Sequence, residues 1–256
     1  MKKNLIRRLL PWAITLAFFV IWQIFCMVLR IESFILPAPS EVFKSLATYP
    51  VPIFMNAMQT FFSTIVGFGL AVAFGLALGL ILGASRLIYD GVYPIMIAFN
   101  SVPKVAIVPL LIVWFGIGTI PAIITAFVIS FFPIVVNVAT GLATIEPEMQ
   151  DVMRVLGAHK MQILLKIGIP RTMPYFFASL KVAITLAFIG SIVAETVASN
   201  FGIGYLMMTA SARFDVPLVF AGLFVIAAMG VVMYELFAFL ERHVTFWATR
   251  SNEIVT

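Results

Sequence analysis

The chain has 256 residues, of which 62% are hydrophobic and 11% charged, and its mean hydropathy of +1.12 excludes a water-soluble globular domain. Its net charge of +5 would point to nucleic acid in a soluble protein; here the placement of the basic residues about a bilayer accounts for it. The single cysteine, Cys26, excludes an intramolecular disulfide and a thiolate metal cluster.

The basic N-terminus MKKNLIRRLL precedes an uncharged run from Leu9 to Leu29. A signal peptide has a shorter apolar core and small residues at its cleavage site, which Phe25-Cys26-Met27-Val28-Leu29 does not supply. An uncleaved first membrane helix is expected. A spanning helix needs about twenty apolar residues. The runs that qualify are 10–29, 60–84, 92–115, 120–142, 174–193 and 217–239. Gly116-Ile117-Gly118-Thr119 followed by Pro121 is the turn that divides an otherwise overlong run. The expected fold is therefore an all-α membrane protein with six transmembrane helices.

Eleven basic residues fall on one side of this layout (Lys2, Lys3, Arg7, Arg8, Arg86, Arg154, Lys160, Lys166, Arg171, Arg242 and Arg250) and three on the other (Arg30, Lys44 and Arg213). The positive-inside rule then sets both termini, and the long loop Thr144–Met173, in the cytoplasm (N-in/C-in). The expected organisation is an N-terminal segment with the first helix (1–35), an extracytoplasmic segment (36–59), a transmembrane core (60–245) containing the loop 144–173, and a cytoplasmic tail (246–256). Within 36–59, Pro39 and Ser40-Glu41 mark the start of a short amphipathic helix. The second outer loop is expected over Ser199–Asp215.

Three features inside the membrane could carry function. Gly75, Gly79 and Gly83 share one face of the second span and let another backbone approach. Packing within one subunit is the plain reading, and a moving or intersubunit contact is the alternative. Asn100-Ser101-Val102-Pro103-Lys104, followed by Pro109, should break the third span, and non-helical backbone at that depth must face protein or a water-filled cavity. Lys104 is then a pathway or gate residue, unless the span begins later and leaves it near the interface. Lys181 poses the same choice, since its side chain could snorkel out of the fifth span. Glu195, before Gly202-Ile203-Gly204, could bind a loop backbone, line the exit or face water.

Enzymatic readings lack residues. There is no His-Glu-x-x-His pair, no nucleophile-elbow serine and no Gly-x-x-x-x-Gly-Lys-Ser/Thr phosphate loop, and His159 and His243 both fall on the cytoplasmic side. The chain should hydrolyse no ATP itself, so an ion gradient or another subunit must supply energy. In the loop, Pro147 and the acidic Glu146, Glu148 and Asp151 suit a helix start. Val152, Val155 and Leu156 give that helix an apolar side, and Gly157 suits its C-terminal cap. A second helical segment, His159–Ile167, is expected to stop at Pro170 before the chain re-enters the membrane at Pro174. Such a loop is either an anchor for a groove on another protein or an amphipathic cover on the bilayer. The residues alone leave both open.

The loop resembles the EAA motif of ABC importer permeases: Glu-Ala-Ala, three residues, Gly, nine residues, then Ile-x-Leu-Pro. Asp151-Val152-Met153 takes the first place, Gly157 the second, and Ile167, Ile169 and Pro170 the last. Val152 and Met153 stand where the motif has alanines. Across about residues 36–245 the chain is similar to the nitrate/sulfonate/taurine-type branch. The stretches that carry this are Leu36-Pro37-Ala38-Pro39-Ser40-Glu41-Val42, Ser101-Val102-Pro103-Lys104, Pro109-Leu110-Leu111, Trp114-Phe115-Gly116-Ile117-Gly118, Phe132-Pro133-Ile134 with Asn137, and Ala194-Glu195 with Gly202-Ile203-Gly204-Tyr205-Leu206.

The resemblance implies a type I ABC importer permease of a bacterial-type inner membrane. Its partners would be a second permease copy in a homodimer, cytoplasmic ATPase subunits that carry ATP and Mg, and an extracytoplasmic solute-binding protein. It implies no cofactor in this chain and no nucleic acid. Asp151, Val152, Met153, Gly157, Ala158, Ile167, Ile169 and Pro170 would couple to the ATPase, and Asn100, Pro103, Lys104, Pro109 and Glu195 are the pathway or gate candidates. A nitrate-, sulfonate- or taurine-like anion is the favoured solute, with a thiamine-precursor pyrimidine or riboflavin as the alternative. The rival from another class is an ion-gradient-driven secondary transporter using Lys104, Lys181 and Glu195; a membrane-embedded enzyme ranks last.

Overall fold

The computed structural model describes residues 2–245; the expected tail 246–256, with Arg250, lies outside the described residues. Every regular element among them is helical. Helix α1 (Lys2–Val28) is followed by α2 (Pro39–Thr48), α3 (Pro50–Ala84) and α4 (Arg86–Ser101). A 3₁₀ turn, Lys104–Ile107, leads into α5 (Val108–Phe115), and α6 (Thr119–Ala143) follows. Beyond α7 (Pro147–Val155) come α8 (Lys160–Ile163), α9 (Ile169–Ala198), α10 (Ile203–Ala212) and α11 (Val216–Val244).

Five helical stretches are long and apolar enough to cross a bilayer: Leu9–Val28, Pro50–Ala84, Thr119–Ala143, Lys160–Val197 and Val216–Val244. The pair Leu87–Ser101 and Lys104–Phe115 also qualifies, but it is bent by 75°. Side-chain register decides whether that pair is one broken span or a re-entrant hairpin. Gly67 of α3 lies against Ala126 of α6, Gly75 against Ile134, Gly79 against Val138 and Gly83 against Leu142, so the two helices run parallel. At the start of this register, the Gln59 amide donates to the Thr119 hydroxyl at 2.7 Å. From the level of Gln59 to Ala84, α3 advances roughly 38 Å at 1.5 Å per residue. The chain must therefore return the whole way between α3 and α6, and α4 with α5 does so. It is one crossing, broken in the middle.

The crossings that follow alternate. Gly141 of α6 meets Thr172 of α9 and Gly190 meets Ala126, an antiparallel pair. Lys181 of α9 pairs with Glu241 of α11, and Gly230 sits beside Phe188, again antiparallel. Six crossings put the start of α1, the end of α11 and the segment with α7 at one end of the bundle. The other end carries α2 and α10.

The core lies where α3, α6, α9 and α11 meet: Phe68, Ala71, Ala126, Ile134, Val138, Ile184, Phe188 and Met233 are buried there. The apolar side chains of α1 (Trp12, Ile14, Leu16, Phe18) are largely uncovered, as expected where acyl chains are the solvent. α1 is held through α2, whose Ser40 N–H donates to Gln23 Oε1 at 3.0 Å, and by packing of Phe19 and Trp22 on Phe220 and Phe224. Glu41 secures the start of α2 by accepting from the Ala38 N–H at 2.9 Å.

Of the helix limits that differ from those read in the sequence, two have a local cause. α3 begins at Pro50 rather than Thr60, because Pro50 fits the first turn and the stretch before Thr60 packs through Ile53 on α10 and α11. Pro170 ends no helix: the stretch Lys160–Val197 is continuous. Leu164–Gly168 forms a π turn in which the Ile169 N–H donates to the Leu164 carbonyl. The wider turn takes Pro170, which has no N–H to place, without interrupting the helix.

Candidate functional site

At the α7 end of the bundle, a helix is presented with its apolar side uncovered. Pro147 occupies its first turn, Glu148 meets the positive end of the dipole, and Arg154 closes the last turn. Asp151 accepts from Arg154 at 2.9 Å, an exposed pair one turn apart. The helix stops in a Schellman motif. Gly157 N–H donates to the Arg154 carbonyl and Ala158 N–H to the Met153 carbonyl, both at 2.9 Å. Gly157 has φ +80°, the left-handed conformation this cap requires, and open space surrounds the position a Cβ would take. The restriction there is backbone conformation, with no steric clash.

Val152, Val155 and Leu156 lie on one stripe of α7; Val155 is 87% and Leu156 76% exposed. Asp151 is exposed beside them, while Met153 and Ala158 are half-buried. Ile167 and Ile169 are half-buried and Pro170 is exposed in the stretch that leads into the fifth span. Glu146 and Arg171 pair at 3.5 Å across the base of the segment. A cavity of about 420 Å³ separates α7 and α8 from the ends of α3 and α6, lined by Gly83, Leu142, Arg154, Lys160 and Ile163 among others. α7 stands off the helix ends, whereas Ile163 of α8 is buried.

The glycine face of α3 is in contact with α6 of the same chain. A Cβ at Gly79 would fall 2.7 Å from the Val138 Cβ and one at Gly83 2.6 Å from the Leu142 Cβ, whereas Gly69, on another face, has nothing within 4 Å.

At the opposite end, Glu195 is 1% exposed. Its Oε2 accepts from the Thr60 hydroxyl at 2.7 Å and the Gly204 N–H at 3.3 Å, and its Oε1 from the Ser191 hydroxyl at 3.4 Å. Thr60 in turn accepts from the Ile203 N–H at 2.8 Å, and Asn56 Oδ1 from the Gly202 N–H at 2.8 Å. Three orphan N–H groups at the start of α10 are thus satisfied by side chains of α3 and α9. Gly202 has φ +109°, and a Cβ there would run into the Glu195 carboxylate. Of the three roles open to Glu195 on sequence grounds, loop binding is the geometry present. Asn56 and Thr60 do not stand out in the sequence; polar residues on the outermost turns of an apolar helix, facing a Gly-x-Gly loop, are the signal that could have found them.

In the broken span, Lys104 lies at mid-depth: it lines a cleft with Phe127, Val128, Phe131 and Phe132, near the middle of α6. A lysine at the bilayer centre costs about 2.5–3.5 kcal/mol on insertion scales. Its ammonium donates to the Asn100 carbonyl at 2.6 Å and to Asn100 Oδ1. Pro103 and Pro109 flank the 3₁₀ turn, and both are exposed. Lys181 is different. Its ammonium pairs with Glu241 at 2.6 Å, with both side chains largely buried.

The apolar broken-helix bundle and its presented helix define a class of protein. Residues 71–246 match the family described as the inner membrane component of binding-protein-dependent transport systems, and the chain belongs to that family. It is 32% identical over 229 residues to a probable ABC transporter permease protein of Haemophilus influenzae, covering 90% of this chain and 94% of that one. It is 27% identical to the formylaminopyrimidine transport permease protein ThiX of Halalkalibacterium halodurans, covering 93% and 95%. The nitrate import permease protein NrtB of a Synechocystis strain is 30% identical, covering 87% and 84%. Among solved structures, a chain of the MetNI methionine ABC transporter in inward-facing conformations superposes with a TM-score of 0.65 at 20% identity, covering 73% of this chain and 93% of that one. The fold is that of a type I importer permease. The chain is a multi-pass inner-membrane permease subunit of an ABC importer and not an enzyme; ATP hydrolysis in such a system lies in a separate subunit.

Proposed function

We propose that this permease forms, with a second copy of itself, the path for a small solute delivered by an extracytoplasmic binding protein. In this reading both termini and α7 face the cytoplasm, where α7 inserts its uncovered Val152–Leu156 stripe into a groove on an ATPase subunit. The supporting observation is the geometry of α7: a short helix with a Schellman ending, apolar on its open side, joined through α8 and a π turn to the continuous helix α9. Closure of the ATPases would push α7 and α8, and α9 would carry that displacement to the far end of the membrane. There the Glu195–Thr60 network ties α9 to α3 and to the start of α10, so Glu195 acts as a positioning group. Asn100, Pro103, Lys104 and Pro109 form the break that lines the path, and α2 and α10 present the surface for the binding protein.

The test is Gly157→Val beside Gly157→Ala in proteoliposomes with the ATPase and binding protein. A side chain in the left-handed region costs about 1–2 kcal/mol, most for a β-branched residue, so the valine variant should lose transport and keep insertion. Full import by Gly157→Val at wild-type ATPase occupancy would remove α7 from the coupling role. Uptake that continues without any ATPase and collapses with an ionophore would favour the ion-gradient alternative. The solutes in the relatives' names (a formylaminopyrimidine, riboflavin, nitrate and aliphatic sulfonates) all carry hydrogen-bond acceptors, which supports a solute with such groups.

A further inference from the structure

The cleft at the break of the third span has a composition that the coupling scheme does not use. It encloses about 380 Å³ and is lined by Met96, Phe99, Asn100, Lys104, Phe127 and Phe131 among others. That volume is in the range of a small-molecule site. Phe127 and Phe131 stand one turn apart on α6 with ring centroids 5.5 Å apart, and Phe74 braces Phe127 edge-on at 5.9 Å. The wall is therefore built of supported rings. Phe99, 74% exposed, stands on the other side.

Among the described residues Lys104 is the only cation lining this cleft, and no salt bridge neutralises it. Lys181 shows how this fold treats a lysine that fastens one helix to another, since Glu241 neutralises it. Lys104 is held only by the carbonyl and amide oxygen of Asn100, one helical turn earlier. An ammonium left unpaired at mid-depth, on a face with uncovered residues, needs water or a ligand acceptor in front of it. A bare oxyanion would find one ammonium and a largely apolar wall, and would lose most of its hydration without replacement. A flat ring with an acceptor or anionic edge finds both partners: phenyl faces for its plane, and Lys104 with the Asn100 amide for its edge.

We propose that Phe99, Asn100, Lys104, Phe127 and Phe131 form the mid-membrane contact site for a planar, hydrogen-bond-accepting heteroaromatic solute. This deepens the permease reading and rests on it. The site confers selectivity inside the membrane in addition to whatever the binding protein selects.

The experiment is ATP-driven uptake into proteoliposomes holding the permease, its ATPase and its binding protein, with labelled orotate, cytosine, taurine and nitrate as probes. Uptake of a planar heteroaromatic probe should exceed that of taurine and nitrate at least tenfold. Lys104→Met should lower it at least tenfold, and Lys104→Arg, which keeps the positive charge, should lower it far less. Phe131→Leu should raise KM, and Phe131→Tyr should restore it. Because Lys104 is not a core residue, Lys104→Met should not lower the thermal midpoint, so lost uptake would not reflect unfolding. Taurine or nitrate entering as fast as the heteroaromatic probes, or Lys104→Met importing at the wild-type rate, would overturn the proposal and leave the permease reading standing. Absence of ATP-dependent uptake of both heteroaromatic probes would likewise overturn the proposal and leave the permease reading standing.

Discussion

Glu195 illustrates what one buried carboxylate does in this protein. Its two oxygens collect two hydroxyls and a backbone N–H from α3, α9 and α10, so the residue sets the level of three helices. Removing the acceptor leaves those donors buried without partners, at about 1–3 kcal/mol. Glu195→Leu should lower the thermal midpoint of the detergent-purified protein markedly, while Glu195→Gln, which keeps an acceptor oxygen, should lower it far less. Equal midpoints for both variants would show that the network contributes nothing. Thr60→Val should behave like Glu195→Leu, because Thr60 both donates to Glu195 and accepts from Ile203. The Gly-x-Gly loop is visible in the sequence. The two α3 residues that hold it are not, since nothing local links positions so far apart in the chain.

Between elements, small residues set how close helices come. α3 and α6 run parallel with Gly67, Gly75, Gly79 and Gly83 on the seam, and α6 meets α9 through Gly141 and Gly190. In a bilayer lipid tails compete equally for apolar side chains, so close backbone approach carries the association. Gly79→Ala should overpack Val138 and destabilise by about 1–3 kcal/mol, whereas Gly69→Ala, with open space, should be near neutral. Equilibrium unfolding of the two variants in the same detergent checks the contrast. The pair Lys181–Glu241 fastens α9 to α11. Lys181→Met and Glu241→Gln should each destabilise more than the double variant, because each single change leaves one partner charge largely buried and unpaired. The four-residue glycine period is readable in the sequence, whereas the partner of that face is not: a Gly-xxx-Gly stripe fits any helix that offers a matching surface.

At the scale of the whole molecule, one end stands off the bundle and the other is tied down. The α7 segment stands off the bundle, bounded by a cavity and presenting Val155 and Leu156. The α10 end is tied down by buried hydrogen bonds. Val155→Asp with Leu156→Asp should abolish co-purification of the ATPase while leaving the thermal midpoint of the isolated permease unchanged, since neither side chain is packed. Retention of the ATPase at wild-type stoichiometry would place its docking surface elsewhere.

Composition and the length of the apolar runs determined an α-helical membrane protein with six crossings, because backbone in lipid must satisfy its own hydrogen bonds within helices. The Gly157 cap and the spacing to Pro170 marked the segment proposed to couple to the ATPase, since a Schellman ending depends only on residues next to one another. Tertiary structure decided what local sequence leaves free. The parallel register of α3 on α6 made α4 and α5 a single broken crossing, and the π turn at Leu164–Gly168 let α9 run through Pro170. Contacts across the fold gave Lys181 a partner and left Lys104 facing a ring-lined cleft at mid-depth. Two lysines in apolar spans look alike in sequence; which one is neutralised depends on the helix packed beside it.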